Sequence, residues 1–470
     1  MKNFLKNRLK KDEFLGLAFT SLVFLIIFVL FSYLWITDAI LDQSLITQID
    51  IRLSDFFYYF KDSRLINLFL LISYFGNIVI IFLVSFITSI ILFIRWKKIE
   101  IIWFLSSVFF SSIIVNLSKN IIERPRPELA VYKEIWYSFP SFHSSISVAL
   151  YWFIFWFFIW KIKKIKKKLR LVFVAFFIAF LIWFSRLYLN VHYFSDVIAG
   201  WYVWFLWLLL WITINWYLLD RYKKKKFFFK KYFLKKRKKI ISFILILWIF
   251  IAVFNYKFYY ENISFNNKKK IIYKNINSVE KLFFENKSLN FTETITWRKT
   301  EPINFIFLSD SDRKIINLFR KSWWNWADKL WRTSIKKMWK ALFKNKKYDT
   351  APITPLYYNK KIQNFSFQKL TKDQNLRFRH HIRIWKTNFK FKNKFIYVGC
   401  GIFDNGIKWG ITHKIDPDLD KEREYILWSL ENSFLIKLEK SIQLLKKYSW
   451  KNFSWDKFFT DWKVYILEIK

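Results

Sequence analysis

The sequence predicts two parts of different physical class: an all-α polytopic membrane helix bundle, made of a six-helix core plus one extra span, and then a C-terminal soluble α/β domain. Three observations carry this. Of 470 residues 54% are hydrophobic and 23% aromatic, yet Lys+Arg number 79 against 34 Asp+Glu, a formal net charge of +45. Apolar runs close to the roughly 20 residues that a bilayer requires recur up to residue 257. From about residue 258 the apolar runs shorten and alternate with Asn, Lys, Pro and Asp, the texture of a water-soluble core. A basic chain also suits nucleic acid, but long uncharged apolar runs are no part of that signature, so nucleic acid is excluded as a partner.

Seven spans are predicted, at 14–37, 66–94, 101–117, 144–160, 171–185, 197–219 and 240–257. The run at 171–185 is short, but Arg170 and Arg186 flank it and can snorkel. The first run is long and no small-residue cleavage site follows it, so it reads as an anchor rather than a cleaved signal. Loop charges orient the bundle. Segments 1–12, 95–100, 161–170 and 221–239 carry 5, 3, 7 and 12 Lys/Arg, whereas 38–64, 119–143 and 186–196 carry 3, 4 and 1. The positive-inside rule then places the amino terminus in the cytoplasm, and the loops from Lys119 and Arg186, with everything after residue 257, outside the inner (cell) membrane. The basic run Arg221 to Lys239 is read as a topology determinant lying at the anionic leaflet. Four regions follow: 1–64, a span and outer loop; 65–220, the membrane core; 221–257, the basic segment and last span; 258–470, the extracytoplasmic domain.

Cysteine and glycine usage add two constraints. Cys400 is the single cysteine, which excludes an intrachain disulfide and any multi-cysteine metal site. Glycine numbers 7, where average usage gives roughly thirty, and tryptophan 26. In a chain rich in Phe, Ile, Lys and Asn this predicts that some tryptophans, Trp204 and Trp323 among them, stand where a reassigned stop codon encodes glycine.

Three polar stretches fall on the predicted outer side: "KNIIERPRP" from Lys119, "FPSFHSS" from Phe139 and "SRLYLNVHYFSD" from Ser185. Ionisable groups at membrane depth are costly and mark function. His192 and Asp196 are four apart at the head of a helix, so the carboxylate can accept from the imidazole and leave its other nitrogen free to attack. His143 opens a membrane helix, whose positive end favours an anion, and Ser141 adds a hydroxyl. Arg126, between Pro125 and Pro127, has little freedom to point elsewhere. With Lys119 and Arg186 it would clamp a group bearing several negative oxygens, which describes a phosphate better than a carboxylate.

In order, these pieces resemble the signature of the type 2 phosphatidic acid phosphatase superfamily, K-x6-R-P, P-S-G-H and S-R-x5-H-x3-D, over about residues 65–220. The departure is Phe142, where the pattern has glycine. The resemblance implies a metal-independent phosphatase of lipid phosphates without cofactor. His192 would form a phosphohistidine, Asp196 would hold its ring, and His143 would serve as acid and then base. Lys119, Arg126, Ser141 and Arg186 would bind the phosphoryl oxygens. Its partners would be a lipid phosphate substrate and membrane lipids. The alternatives are a lipid phosphotransferase, passing the group to an alcohol, and a non-catalytic scaffold for the outer domain.

In the second part, "INFIFLSDSDRKIINLFRKSWW" reads as strand, turn and helix capped by Ser309 or Asp310, "KFIYVGCGIFD" as a strand, and "DKEREYILWSLENSFLIKLEK" as a helix capped by Asp420. "TPLYY", "RFRHHIRIW", "FDNGI" and "GITHKIDPDLDKER" resemble an LssY-type domain over about 300–435. Asp416, Asp418 and Asp420 lack the glycine and glutamate of a calcium loop. His380, His381, Asp404, His413 and Asp416 are the candidate set for a metal or second hydrolytic site. Strand alternation in "RHHIRIW" puts His381 and Arg383 on one face and His380 on the other, so the two histidines do not share an ion.

Overall fold

The computed structural model describes residues 16–94, 97–159, 162–221, 251–257, 259–260, 263, 273–285, 287–329, 332–344, 347–371, 376–408, 412–444, 448–451 and 456–470. The chain divides into two compact units, Met1–Lys268 and Lys269–Lys470.

The first unit is helical: α1 (Leu17–Leu41), α2 (Leu45–Tyr59), α3 (Ser63–Tyr74), α4 (Ile78–Ile94), α5 (Lys98–Ile122), α6 (Phe142–Ile159), α7 (Ile165–Tyr188) and α8 (Phe194–Arg221). Leu17–Leu41, Glu100–Ile122, Ile165–Tyr188 and Phe194–Ile214 are long and apolar enough to cross a bilayer, and α3 with α4, bent by 41°, makes a fifth candidate. Helix α6 is apolar but shorter. These are the helices of a multi-pass membrane protein; the predicted span at 66–94 falls on α3 and α4, and the other five of the first six fall on one helix each. The seventh, at 240–257, lies mostly outside the described residues, as do segment 1–12 and nearly all of the basic run at 221–239.

Two features depart from the sequence reading. The run at 66–94 is not one straight helix, because the chain breaks at Phe75–Asn77, where the Tyr151 hydroxyl donates to Phe75 O at 2.8 Å. The segment 38–64, expected as a loop, contains α2. Ile46, Ile49, Leu53 and Phe57 lie three or four apart, the spacing of one helical stripe. Ile46 packs on the cluster of Ile36, Ile40, Phe139 and Ala199, and Phe57 on that of Phe69, Tyr188 and Leu189. The same helix buries Asp50.

The second unit is built on a nine-stranded mixed sheet that includes β1 (Lys274–Asn275), β5 (Asn325–Trp326) and β12 (Ile436–Gln443), in the order β12-β15-β4-β10-β9-β8-β5, with β1 on β9 and β11 on β10. Its central strands are β4 (Phe305–Ser309), β8 (Phe365–Leu370), β9 (Phe378–Phe391), β10 (Lys394–Lys408), β11 (Thr412–Ile415) and β15 (Lys463–Ile469). Alternation sorts their side chains into two cores. On one face Phe305, Phe307, Ile382, Ile384 and Tyr397 pack against Ile315, Leu318 and Phe319 of α10 (Asp312–Lys321) and Ile426, Leu427 and Leu430 of α12 (Leu419–Glu431). On the other, Ile306, Leu308, Trp385, Val398, Cys400 and Ile402 meet Leu289, Leu356 and Tyr358. Membrane bundle and α/β unit together are the predicted fold class.

Both helix caps shift by a residue or two. Ser311, not Ser309 or Asp310, caps α10, its hydroxyl accepting from Lys314 N. Asp418, not Asp420, caps α12 by accepting from Asp420 N and Lys421 N, each at 3.1 Å. The helix expected through residue 440 stops at Glu431. Phe434 takes a positive φ of 56°, and the chain re-enters the sheet as β12 (Ile436–Gln443). Apolar residues there fit either period, and pairing with β15 settles the matter.

Candidate active site

Helix α5 ends by carrying Lys119 in its last turn, and Glu123 then takes a left-handed φ of 48°. That turn releases the segment Arg124-Pro125-Arg126-Pro127, whose prolines cannot continue a helix. Lys119 Nζ donates to Tyr137 O. Arg126 donates through Nε to Trp136 O at 2.6 Å and through Nη1 to Val191 O at 2.7 Å, and Nη1 lies 3.3 Å from His192 Nε2. Arg186, fully buried near the end of α7, donates to Ser73 Oγ at 2.5 Å and to the Tyr132 hydroxyl at 2.8 Å. Between the two guanidiniums sits a carboxylate: Glu134 accepts from Arg126 Nη2 at 2.6 Å, from Arg186 Nη2, and from the Tyr132 hydroxyl at 3.1 Å.

A second network holds the histidine side. Asp196, in the first turn of α8, stands with Oδ2 3.5 Å from His192 Nδ1, longer than an N–H···O bond, and both side chains are buried. Its closer partners are Arg124 Nη1 at 2.6 Å and Tyr193 N at 2.8 Å. Arg124 also reaches Ser195 Oγ at 2.7 Å and Asp50 of α2 at 2.8 Å, and Asp50 accepts from Ser195 N at 2.9 Å. Two buried carboxylates thus share one buried guanidinium, which compensates charges that would otherwise be expensive.

Ser141 and His143 join through the backbone. Ser141 N donates to Asp196 O at 2.9 Å, and its hydroxyl accepts from Ser144 at 2.9 Å. This close approach depends on Gly200, where a Cβ would fall 2.7 Å from Ser141 O. His143 lies in the first turn of α6 with Nε2 buried and unbonded, its ring against Gly76 at the α3–α4 break. Phe142 packs with Ile81, Phe104 and Ile146, and its ring stands edge-on to that of His143 with centroids 6.4 Å apart.

Around the seven expected residues, Lys119, Arg126, Ser141, His143, Arg186, His192 and Asp196, the structure places five that the sequence did not suggest: Arg124, Asp50, Ser195, Glu134 and Tyr132. The repeated Arg-Pro of "RPRP" was a usable signal for Arg124. Nothing local marks Glu134, whose contact with Arg186 spans 52 residues.

Residues 100–220 match the family model of the PAP2 superfamily, a stretch that contains all seven of the expected positions. Residues 284–464 match that of the LssY C-terminus. Two family models thus match separate parts of the chain, that of the PAP2 superfamily in the first unit and that of the LssY C-terminus in the second. Among solved structures it resembles the first transmembrane PAP2 type phosphatidylglycerolphosphate phosphatase from Bacillus subtilis, at 25% identity over 43% of this chain and 98% of that one, with a TM-score of 0.37. It also resembles Aquifex aeolicus LpxE, at 20% identity over 35% and 94% of the two chains, with a TM-score of 0.29. At these TM-scores neither superposition bears on the site. No curated protein matches the chain.

In the LssY-like domain the five expected residues separate. Asp404 of β10 stands 3.4 Å from both His381 Nδ1 and His413 Nδ1 and accepts from Arg379 Nε at 2.7 Å. His380 faces the helix side instead, stacked on Tyr425 with Nδ1 2.7 Å from Glu422 Oε2. Asp416 accepts from Asp418 N at 2.9 Å, in the turn that caps α12. Among the described residues no group of three or more His, Cys, Asp and Glu side chains could hold a metal ion, so the five do not form the metal site that was one reading of them. Burial would raise the Asp404 carboxyl, but His381, His413 and Arg379 outweigh it and hold it down at about 2. Burial lowers His381 and His413, and lowers His380 to about 4, while it pushes Glu422 well up.

Proposed function

We propose that the chain is an integral membrane phosphatase that hydrolyses a phosphomonoester or pyrophosphate of a lipid at the outer membrane surface through a phosphohistidine. The observation that carries this reading is the meeting of Arg126, Arg186 and His192 around Glu134: an anionic group with two oxygens already occupies the place a phosphate would take. Arg126 Nη1, 3.3 Å from His192 Nε2, puts the phosphate clamp beside the nitrogen that would attack.

His192 Nε2 forms the P–N bond as the P–O bond to the lipid breaks, and His143 gives its proton to the departing oxygen. Water then attacks phosphorus, His143 takes the water's proton, the P–N bond breaks, and phosphate leaves. Asp196, held by Arg124 and Tyr193 N, faces Nδ1 and stabilises the charge that ring acquires. Lys119, Arg126, Arg186 and Ser141 neutralise the phosphoryl oxygens in the transition state.

The test is phosphate release from a panel of lipid phosphates by the full-length protein in detergent with EDTA. Wild type should release phosphate and His192→Ala should lose at least about a thousandfold in kcat. Equal release by the two proteins would remove His192 from the mechanism, and release abolished by EDTA would remove metal independence.

A further inference from the structure

The LssY-like domain buries a polar constellation that the proposed phosphatase chemistry does not use. Arg379, His381 and Arg383 project from one face of β9, and Asp404 lies opposite Arg379 on β10. Asp404 draws three nitrogens to one oxygen: Arg379 Nε at 2.7 Å, and the Nδ1 atoms of His381 and His413 at 3.4 Å each. Arg379 is further engaged by Gln368 Oε1 at 2.8 Å and Pro352 O at 3.4 Å. Its charge is thereby balanced.

Arg383 is not balanced. Its Nε donates to Thr354 O at 3.0 Å, but Nη1 is buried without a hydrogen bond, and among the described residues no carboxylate comes within ion-pair distance of it. The residue is 6% exposed. His381, with a side chain 3% exposed, makes no hydrogen bond through either ring nitrogen, and Asp404 on its Nδ1 side leaves Nε2 turned elsewhere. A buried cation without a counter-ion and a buried imidazole without a hydrogen bond are each costly. They stand two apart on one strand face, about 7 Å along it. His413, 18% exposed, gives the cluster an edge toward solvent.

We propose that Arg383, His381 and His413 form a binding site for a phosphate group, free or as a monoester, in the LssY-like domain. An anion there supplies the missing partner of Arg383 and a hydrogen bond to His381 together. Three side chains on two strands call for three oxygens, which a tetrahedral phosphate offers and a planar carboxylate does not. Asp404 and Arg379 are positioning residues, since they reach the ligand only through the imidazoles.

Five histidines in the whole chain make the test direct. Full-length protein in detergent, labelled at histidine Cε1 with carbon-13, gives five signals, assigned by single His→Gln variants. Inorganic phosphate, glycerol 3-phosphate and a short-chain phosphatidate are titrated separately, with acetate as the comparison. The proposal expects a saturable shift of the His381 and His413 signals with at least one phosphate compound, none with acetate, and a loss of affinity of about tenfold or more in Arg383→Met. A response to inorganic phosphate identifies the free ion as sufficient; a response to the phosphatidate alone identifies a lipid headgroup. Signals that stay still with all three compounds, or that move equally with acetate, overturn it. So does unchanged affinity in Arg383→Met, with His413→Gln read in parallel should that variant not fold. Signals from His143 and His192 report the membrane core separately, so a failure of one reading is not a failure of the other.

Discussion

Glu134 is the residue on which the proposed active site turns. Its carboxylate neutralises Arg126 and Arg186, and in the proposed reaction the phosphate would have to displace it. Removing its charge leaves the clamp open to the substrate, so Glu134→Gln should lower KM severalfold in the phosphate-release assay while leaving kcat within about twofold. A raised KM would make Glu134 a positioning group for the arginines rather than a competitor. A second residue-scale prediction concerns tryptophan. Among the non-glycine residues with positive φ are Trp297, Trp323 and Trp462, at 60°, 64° and 61°. That region strains every residue with a Cβ and favours glycine. Trp323 is also 82% exposed. Peptide mass spectrometry of protein from the source cell should find glycine at these three positions, and tryptophan found there would end the recoding argument.

At the scale of elements, β9 divides two chemistries by its alternation. His381 and Arg383 face one core while His380 faces α12 and pairs with Glu422. Burial holds His380, His381 and His413 below the ordinary histidine value of about 6.5. The unfolded chain therefore takes up protons first as pH falls, and stability present above about 6.5 is lost on the way down, for His380 over the interval to about 4. Glu422 acts in the opposite sense, because its raised carboxyl binds a proton in the folded state more readily. One proton opposes three, so the LssY-like domain should lose thermal stability between pH 7 and pH 4.5. A calorimetric scan of the full-length protein across that interval reads it, and a flat Tm would show that the histidines are not held neutral.

At the scale of the whole molecule, the asymmetry of 27 Lys/Arg against 8 in the counted loops is an argument about orientation. It places Lys133, beside the proposed site, outside, and Lys166, before α7, in the cytoplasm. Cys400 is buried, so cysteines introduced as Lys133→Cys and Lys166→Cys can be read with a membrane-impermeant maleimide on intact cells. Labelling of the first alone is expected. Labelling of Lys166→Cys alone would invert the topology and put the proposed chemistry on the cytoplasmic side.

The sequence by itself determined the class of each part, since bilayer thickness sets the length of an apolar run. It also supplied the seven positions of the proposed site, because a motif is a local pattern whose spacing survives in one dimension. Tertiary structure alone decided which charges neutralise one another. Asp50 reaches Arg124 across 74 residues, and Glu134 reaches Arg186 across 52. Such pairs are fixed by packing of helices distant in the chain, and no spacing records them. The same holds for His381 and Asp404, which meet because β9 and β10 pair in one register, with His381 opposite Ile402. A slip of one residue would send the imidazole into the opposite core.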